Sequence, residues 1–459
     1  MTKNPKLVAA WNAVNPDSPT QARMLSNVAQ GRRTPRRPLW PWLAGAGAVL
    51  VALALALSVV LPGRNSTVNP PPDPRNLMAG LLPGNVTTRT PDDQFARAMA
   101  DFSVRLLQRQ VSGENNVLLS PLSVELALAM TANGASGETL RQMQQVLAGG
   151  ADIADINAML AGFAKGLPST AKAKFHLANS IWYRQIQGLN VKPKFLQTNA
   201  DYYGAGAYAA PFDKATLDAI NAWVNDKTNG MVPKIVDELK PDDMMVLLNA
   251  LAFDAEWLDQ YQPGQIADGV FTTASGAKQN AKFMASGEWR YLDDGKATGF
   301  VKPYADYGYN FVALLPNKGV SITDYVASLT GTGWLRTLGS AEGTSVHAQL
   351  PQFSFSYDTS LVAALKAMGM TDACDPNLAQ FGDMVTPPPP LYIGDVLHST
   401  SIEVTPVGTK AGAATAVEMR AGAAPTIPKV VTLDRPFVFA ITDAATNLPI
   451  FIGVTNTLA

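Results

Sequence analysis

The sequence predicts an α+β domain over residues 94–459, preceded by one membrane-length apolar helix. Three observations carry this expectation: helical periodicity dominates from Gln94 to Thr228, short β-branched and aromatic runs dominate from Met244 onward, and an uncharged run precedes both. Helices first and strands later belong to α+β domains rather than to alternating βαβ units. With 47% hydrophobic and 16% charged residues among 459, the chain holds enough apolar matter for a sizeable core and is far from the composition of disorder. Lys and Arg (36) nearly balance Asp and Glu (37), so no broad basic surface exists for nucleic acid.

Taken in order, residues 1–38 carry Lys3, Lys6, Arg23, Arg32, Arg33, Arg36 and Arg37 against Asp17 alone. They read as a basic cytoplasmic segment under the positive-inside rule. Residues 39–61 form the predicted transmembrane signal anchor, because the run from Trp42 to Leu61 has no charge and reaches about 30 Å as a helix, the hydrocarbon thickness of a bilayer. Trp40 and Trp42 stand at its edge and Pro41 and Pro62 bracket it, an arrangement suited to the headgroup zone. Small residues around Ala52 and Ala54 keep a cleaved signal peptide open, and the arginine pairs a twin-arginine signal. Under each reading the remainder lies outside the cytoplasm, held to a lipid bilayer through residues 42–61 or released. Residues 62–93, rich in Pro, Gly, Asn and Thr, are expected as a tether. Asn65-Ser66-Thr67 and Asn85-Val86-Thr87 within it fit the glycosylation sequon.

Phe95, Met99, Phe102 and Leu106 recur at helical spacing, and Pro121 to Met130 begins a second helix with Ser120 as its cap. Gly137 to Leu147, Asp152 to Phe163 and Ala215 to Thr228 continue the helical series. Strands are expected at Met244 to Phe253, Phe300 to Pro303, Phe311 to Leu315, His347 to Tyr357 and Ile402 to Val404. Val430 to Leu433, Phe437 to Thr442 and Pro449 to Val454 complete them.

Catalytic signatures are missing. There is no phosphate-binding Gly-x-x-x-x-Gly-Lys loop, no His-Glu-x-x-His and no Gly-x-Ser-x-Gly elbow, and His176, His347 and His398 lack metal-ligand spacing. The single cysteine, Cys374, excludes a disulfide framework and a thiolate metal site, and is expected as a small buried apolar residue. Neither metal nor cofactor is expected, and the chain does not read as an enzyme.

One segment stands out. Gly408 to Pro425 reads GTKAGAATAVEMRAGAAP, with small residues where a buried strand carries large ones. Thr409, Ala411, Ala413, Thr415, Val417 and Met419 share one parity; Lys410, Glu418 and Arg420 share the other with Gly412, Ala414 and Ala416. In an extended strand this places every charge on a solvent face and leaves the other face small or apolar. The segment can therefore enter a sheet or remain outside as an exposed loop.

Motifs around it closely resemble the serpin family of protease inhibitors, from Gln94 to the C-terminus. The resemblance rests on Asn116-Val117-Leu118-Leu119-Ser120-Pro121-Leu122-Ser123 with the following ALAMTANGASGETLRQM, and on Asn221-Ala222-Trp223-Val224 with Thr228-Asn229-Gly230. Leu248-Asn249-Ala250 with Phe253 and Trp257, Ala367 to Ala373, Pro436-Phe437-Val438-Phe439 and Phe451-Ile452-Gly453 extend it in order. It implies helices around a large mixed or antiparallel sheet with an exposed reactive loop, acting as a suicide inhibitor of serine proteases and expected to be monomeric. It also implies a sheet-opening cluster of Ser120, Ser123, Asn249 and His398 with Trp257 at the top of the opening, and a hinge of Gly408, Thr409, Ala411, Gly412, Ala413, Ala414 and Thr415. A non-inhibitory carrier or chaperone of the same fold is the alternative.

The family usually places acidic residues just before the hinge glycine, where Thr405-Pro406-Val407 stand here, so the hinge base is expected to be stiff. By the spacing the resemblance implies, counting forward from the hinge glycine puts the scissile bond at Gly422-Ala423 and counting back from Pro436 puts it near Pro425, with Arg420 as the alternative. Ala421, Gly422, Ala423 and Ala424 suit an elastase-like protease, while Arg420 suits a trypsin-like one. The helix at Asp152 to Phe163, used by some members for heparin, carries Asp152 and Asp155 but no base, so polyanion activation through it is not expected.

Overall fold

The structure is a computed structural model describing residues 75–458 except 229, 231, 242, 342, 387–390 and 410–427, with backbone only at 178, 249, 250 and 252. The segment 1–38, the predicted anchor and most of the tether lie outside these residues. From Arg75 onward, however, the expected tether is part of the fold. Arg75–Asn76 pairs antiparallel with a sheet edge, Leu77, Met78 and Leu81 pack against the core, and the Gly84 amide donates to Asp201 Oδ1 at 2.7 Å.

The main sheet contains β1 (Arg75–Asn76), β2 (Ala173–Arg184), β3 (Gly206–Ala210), β4 (Met245–Glu256), β5 (Phe353–Ser360), β6 (Asp395–Val404) and β7 (Gly408–Thr409). Their spatial order is β1-β3-β2-β4-β7-β6-β5, with β2–β3 and β4–β6 parallel. A six-stranded sheet runs Val117–Leu119, Pro449–Thr455, Phe437–Asp443, Tyr309–Pro316, Ala297–Pro303 and Arg290–Asp293. Four further strands form a third sheet.

The helices are α1 (Asp93–Gln110), α2 (Pro121–Ala132), α3 (Gly137–Ala148), α4 (Ile153–Gly166), α5 (Pro193–Tyr203), α6 (Lys214–Lys227), α7 (Ile322–Ser328), α8 (Gly331–Gly339) and α9 (Val362–Met368). The class is α+β, but the expected division into early helices and late strands is too simple. β2 and β3 fall among the early helices and α7 to α9 among the late strands. β2 was hidden because both of its faces are mixed: Phe175, Leu177, Ile181 and Tyr183 share a face with Asn179, and Trp182 shares the other with His176 and Ser180. The expected His347 to Tyr357 strand is two, Val346–Pro351 in the third sheet and β5 in the main one.

α2 is buried at every position from Pro121 to Ala132, behind the inner face of the main sheet and against the strand at Pro449–Thr455. α6 covers the outer face, where Ile220 and Val224 pack with Trp182, Val246 and Leu248. Asp213 caps it by accepting from the Thr216 amide. The Asn221 side chain pins the returning chain, donating to Val236 O at 2.9 Å and accepting from the Ile235 amide at 2.9 Å.

Candidate functional site

β4 and β6 pair in register from Val246↔Asp395 to Ala250↔Ser399. Beyond that point they part, and at the far end β7 lies between them, Gly408 opposite Glu256 and Thr409 opposite both Ala255 and Val404. The sheet is thus closed at one end and already separated by a third strand at the other. Gly408 is required by close approach, since a Cβ there would stand 2.0 Å from Ala255 O. Thr409 is 2% exposed, and its Oγ1 lies 2.5 Å from the Tyr304 hydroxyl. Burial pushes the Tyr304 phenol well above its usual range, so it stays protonated and able to donate.

The turn before β7 is held by its carbonyls. Trp257 Nε1 donates to Thr405 O at 2.8 Å, the Tyr261 amide to Pro406 O at 2.9 Å and the Trp257 amide to Val407 O at 2.9 Å. Thr405 Oγ1 accepts from the Val407 and Gly408 amides, both at 3.3 Å. Because the anchoring runs through carbonyls, the missing N–H of Pro406 removes none of these hydrogen bonds. Trp257 stacks on Tyr304 at 4.5 Å between centroids and meets Phe311 edge-on at 5.7 Å.

At the closed end, His398 Nε2 accepts from the Ser120 amide at 3.1 Å. Burial lowers the His398 pKa to about 3, so the imidazole is neutral and Nε2 is free to accept. The expected Ser120 cap is absent, for its side chain makes no capping bond and its Oγ has no hydrogen-bond partner. Pro121 at the first helical position starts α2 instead. Ser123 is fully buried. Asn249 lies directly across from His398 on one side and from Asn179 on the other. Ser120 and His398 are therefore in contact and Asn249 shares their register, while Trp257 belongs to the hinge end.

Two residues of this region escaped the sequence reading. Asn179, 7% exposed, had as its only signal a polar side chain on the apolar parity of β2. Thr400, fully buried, donates from Oγ1 to Leu118 O at 2.9 Å and ties β6 to the strand before α2. Cys374 is buried as expected, and desolvation raises its thiol to about 11. Ala411, Gly412, Ala413, Ala414, Thr415 and the scissile candidates Arg420, Ala421, Gly422, Ala423 and Ala424 lie outside the described residues.

A family profile described as Serpin (serine protease inhibitor) matches residues 97–457. An uncharacterized serpin-like protein of Thermococcus kodakarensis is 29% identical over 367 residues, 78% of this chain and 84% of its own length. Among solved structures, the thermophilic serpin tengpin in the native state is 43% identical with a TM-score of 0.80, over 84% of this chain and all of tengpin. Its latent state matches with a TM-score of 0.72 over 81% of this chain and all of that one.

Proposed function

The chain belongs to the serpin family, whose members are protease inhibitors rather than enzymes, and from that premise we propose that it is a suicide inhibitor of serine proteases. The observation that carries this reading is β7, the first two hinge residues seated as a strand between β4 and β6. The reactive loop is offered as a substrate. The protease serine Oγ attacks a loop carbonyl, the peptide C–N bond breaks, the C-terminal fragment leaves with its new amine, and the N-terminal arm stays esterified to the protease. That arm then extends β7 down the opening before water reaches the ester, as an added strand.

Extending the register of Gly408 and Thr409 gives each inserting residue its place. Ala411 comes between Phe253 and Ile402, Ala413 between Leu251 and Thr400, and Thr415 between Asn249 and His398, all on the core-facing parity. Position 410 comes between Asp254 and Glu403, while 416 comes between Leu248 and Leu397. Leu248 and Leu397 lie in the cluster under α6. If the arm inserts in this register, the lower half of the second parity would meet α6 rather than water, which suits the small Ala416.

About fourteen inserted residues at ~3.3 Å each would carry the tethered protease about 46 Å, distorting its oxyanion hole. Cleavage after Arg420 shortens the arm by two residues relative to Gly422, about 6.6 Å of displacement, so the favoured target is elastase-like, cutting within Ala421 to Ala424. Trypsin-like proteases would cut after Arg420 mainly as a substrate. The inhibitor is a monomer displayed outside the cytoplasm on the anchor at 42–61. A carrier of this fold would need bulky, charged or proline residues through the hinge, and Lys410 is the only such residue from Thr409 to Thr415.

Incubation with an elastase and with trypsin, then denaturing gels and mass spectrometry of the released C-terminal peptide, tests the reading. A covalent complex releasing a peptide that begins within 422–425 is expected. Cleavage by both proteases without a complex would count against the inhibitor reading and favour the carrier one, and a stable trypsin complex releasing a peptide from Ala421 would overturn the elastase assignment.

A further inference from the structure

Lys302 and Glu288 form an ion pair, Nζ to Oε1 at 3.0 Å, with side chains 2% and 7% exposed. Among the described ion pairs it alone has both partners below a tenth exposed. A pair buried this deeply adds little to stability, because desolvating two charges offsets their attraction and an apolar pair of similar volume often serves as well.

Its surroundings indicate another use. Lys302 Nζ also donates to Asp259 O at 3.1 Å, and stands 4.4 Å from the Tyr261 ring centroid and 5.5 Å from that of Trp257. Ser286 Oγ donates to Glu288 Oε1 at 2.7 Å and lies 3.3 Å from the Tyr261 hydroxyl. Trp257 and Tyr261 are the two residues whose N–H groups hold the carbonyls of Thr405, Pro406 and Val407. Tyr304, two residues beyond Lys302, stacks on Trp257 and bonds Thr409. Two of the three aromatic residues that hydrogen-bond the hinge base, Trp257 and Tyr261, thus sit on this ion pair, and the third, Tyr304, lies two residues from it in the chain. The turn itself holds no charged residue between Val404 and Gly408.

We propose that the buried Lys302–Glu288 pair is a positioning element for the hinge. It locks the Trp257 and Tyr261 rings so that the turn at 405–407 is a fixed pivot and the loop enters the sheet in the Gly408–Thr409 register. Burial pulls the Lys302 ammonium down, but its interactions with Tyr261 and Glu288 outweigh that and leave it above the ordinary lysine value, so the cation persists at neutral pH. What the pivot serves rests on the inhibitor reading; its existence does not.

Hydrogen exchange by mass spectrometry on the full-length chain separates a positioning role from a structural one. Lys302→Met combined with Glu288→Gln removes both charges at nearly constant volume. It is expected to keep the parental melting temperature, while the amides of Trp257, Tyr261, Val407 and Gly408 exchange about tenfold faster and those of Phe437–Asp443 do not change. Parental exchange at the hinge in a folded double variant overturns the proposal, as does acceleration spread evenly over the main sheet. Should the double variant not fold, Glu288→Gln alone keeps an acceptor for Lys302 and Ser286 and is expected to accelerate the same four amides severalfold; unchanged exchange there overturns it equally. Where the parent traps a protease, the double variant should need several times more inhibitor per protease inactivated. A parent that traps none leaves the exchange result standing, so the two readings fail separately.

Discussion

Thr409 shows how one side chain sets the behaviour of the loop. It is buried opposite Ala255 and Val404 and bonded to Tyr304, so Thr409→Arg would force a charge into core at a cost on the order of several kcal/mol. The expected outcome is a protein cleaved by an elastase without a trapped complex, read on a denaturing gel; inhibition equal to the parent would refute insertion. His398 yields a pH dependence whose sign follows from burial. Its folded pKa is lowered from 6.5 to about 3, so between these values the unfolded chain takes up a proton that the folded protein refuses. The stability it supports is complete above about pH 6.5 and declines by up to about 1.4 kcal/mol per unit as pH falls toward 3. Denaturant unfolding at pH 7, 6, 5 and 4 should show this slope, and His398→Gln should flatten it. Of these two residues, the parity of Thr409 was legible because strand alternation is a local property. The contact between His398 and the Ser120 amide joins positions 278 apart, and no local pattern encodes it.

At the scale of the strand, the extended register makes a prediction about charge. Position 410 would come between Glu403 and Asp254, the latter already facing Lys174 across β2 and β4. Lys410→Glu would place three carboxylates side by side in the inserted form, where like charges across a ladder cost about 0.2–1 kcal/mol per pair. The expected result is a loop-cleaved protein that unfolds at lower guanidinium concentration than the cleaved parent, with the uncleaved proteins unchanged. Equal midpoints for the two cleaved forms would mean that the strand enters in another register. Element assignment followed the same logic as the residue scale. α2, α3, α4 and α6 lie within three residues of their expected bounds because helical spacing and start signals are written locally. β2, mixed on both faces, owes its place to what packs on it.

For the molecule as a whole, the anchor and the loop combine into one topological prediction. Protease added to intact cells or spheroplasts should cut the loop near Arg420 and spare residues 1–38; the opposite pattern would invert the orientation that the positive charges dictate. By itself, the sequence determined the class of fold, the family, the buried thiol and the small, alternating hinge, because composition, periodicity and ordered motifs are properties of neighbouring residues. Only the tertiary structure decided that β7 already parts β4 from β6, that α6 packs over Val246 and Leu248 of β4, and that the chain from Arg75 is docked on the sheet rather than tethering it. It alone brought Lys302 and Glu288 under the hinge. Each of these depends on which segments share a sheet or a layer, and that is fixed by packing between elements, several of them more than a hundred residues apart, where the chain carries no local signal.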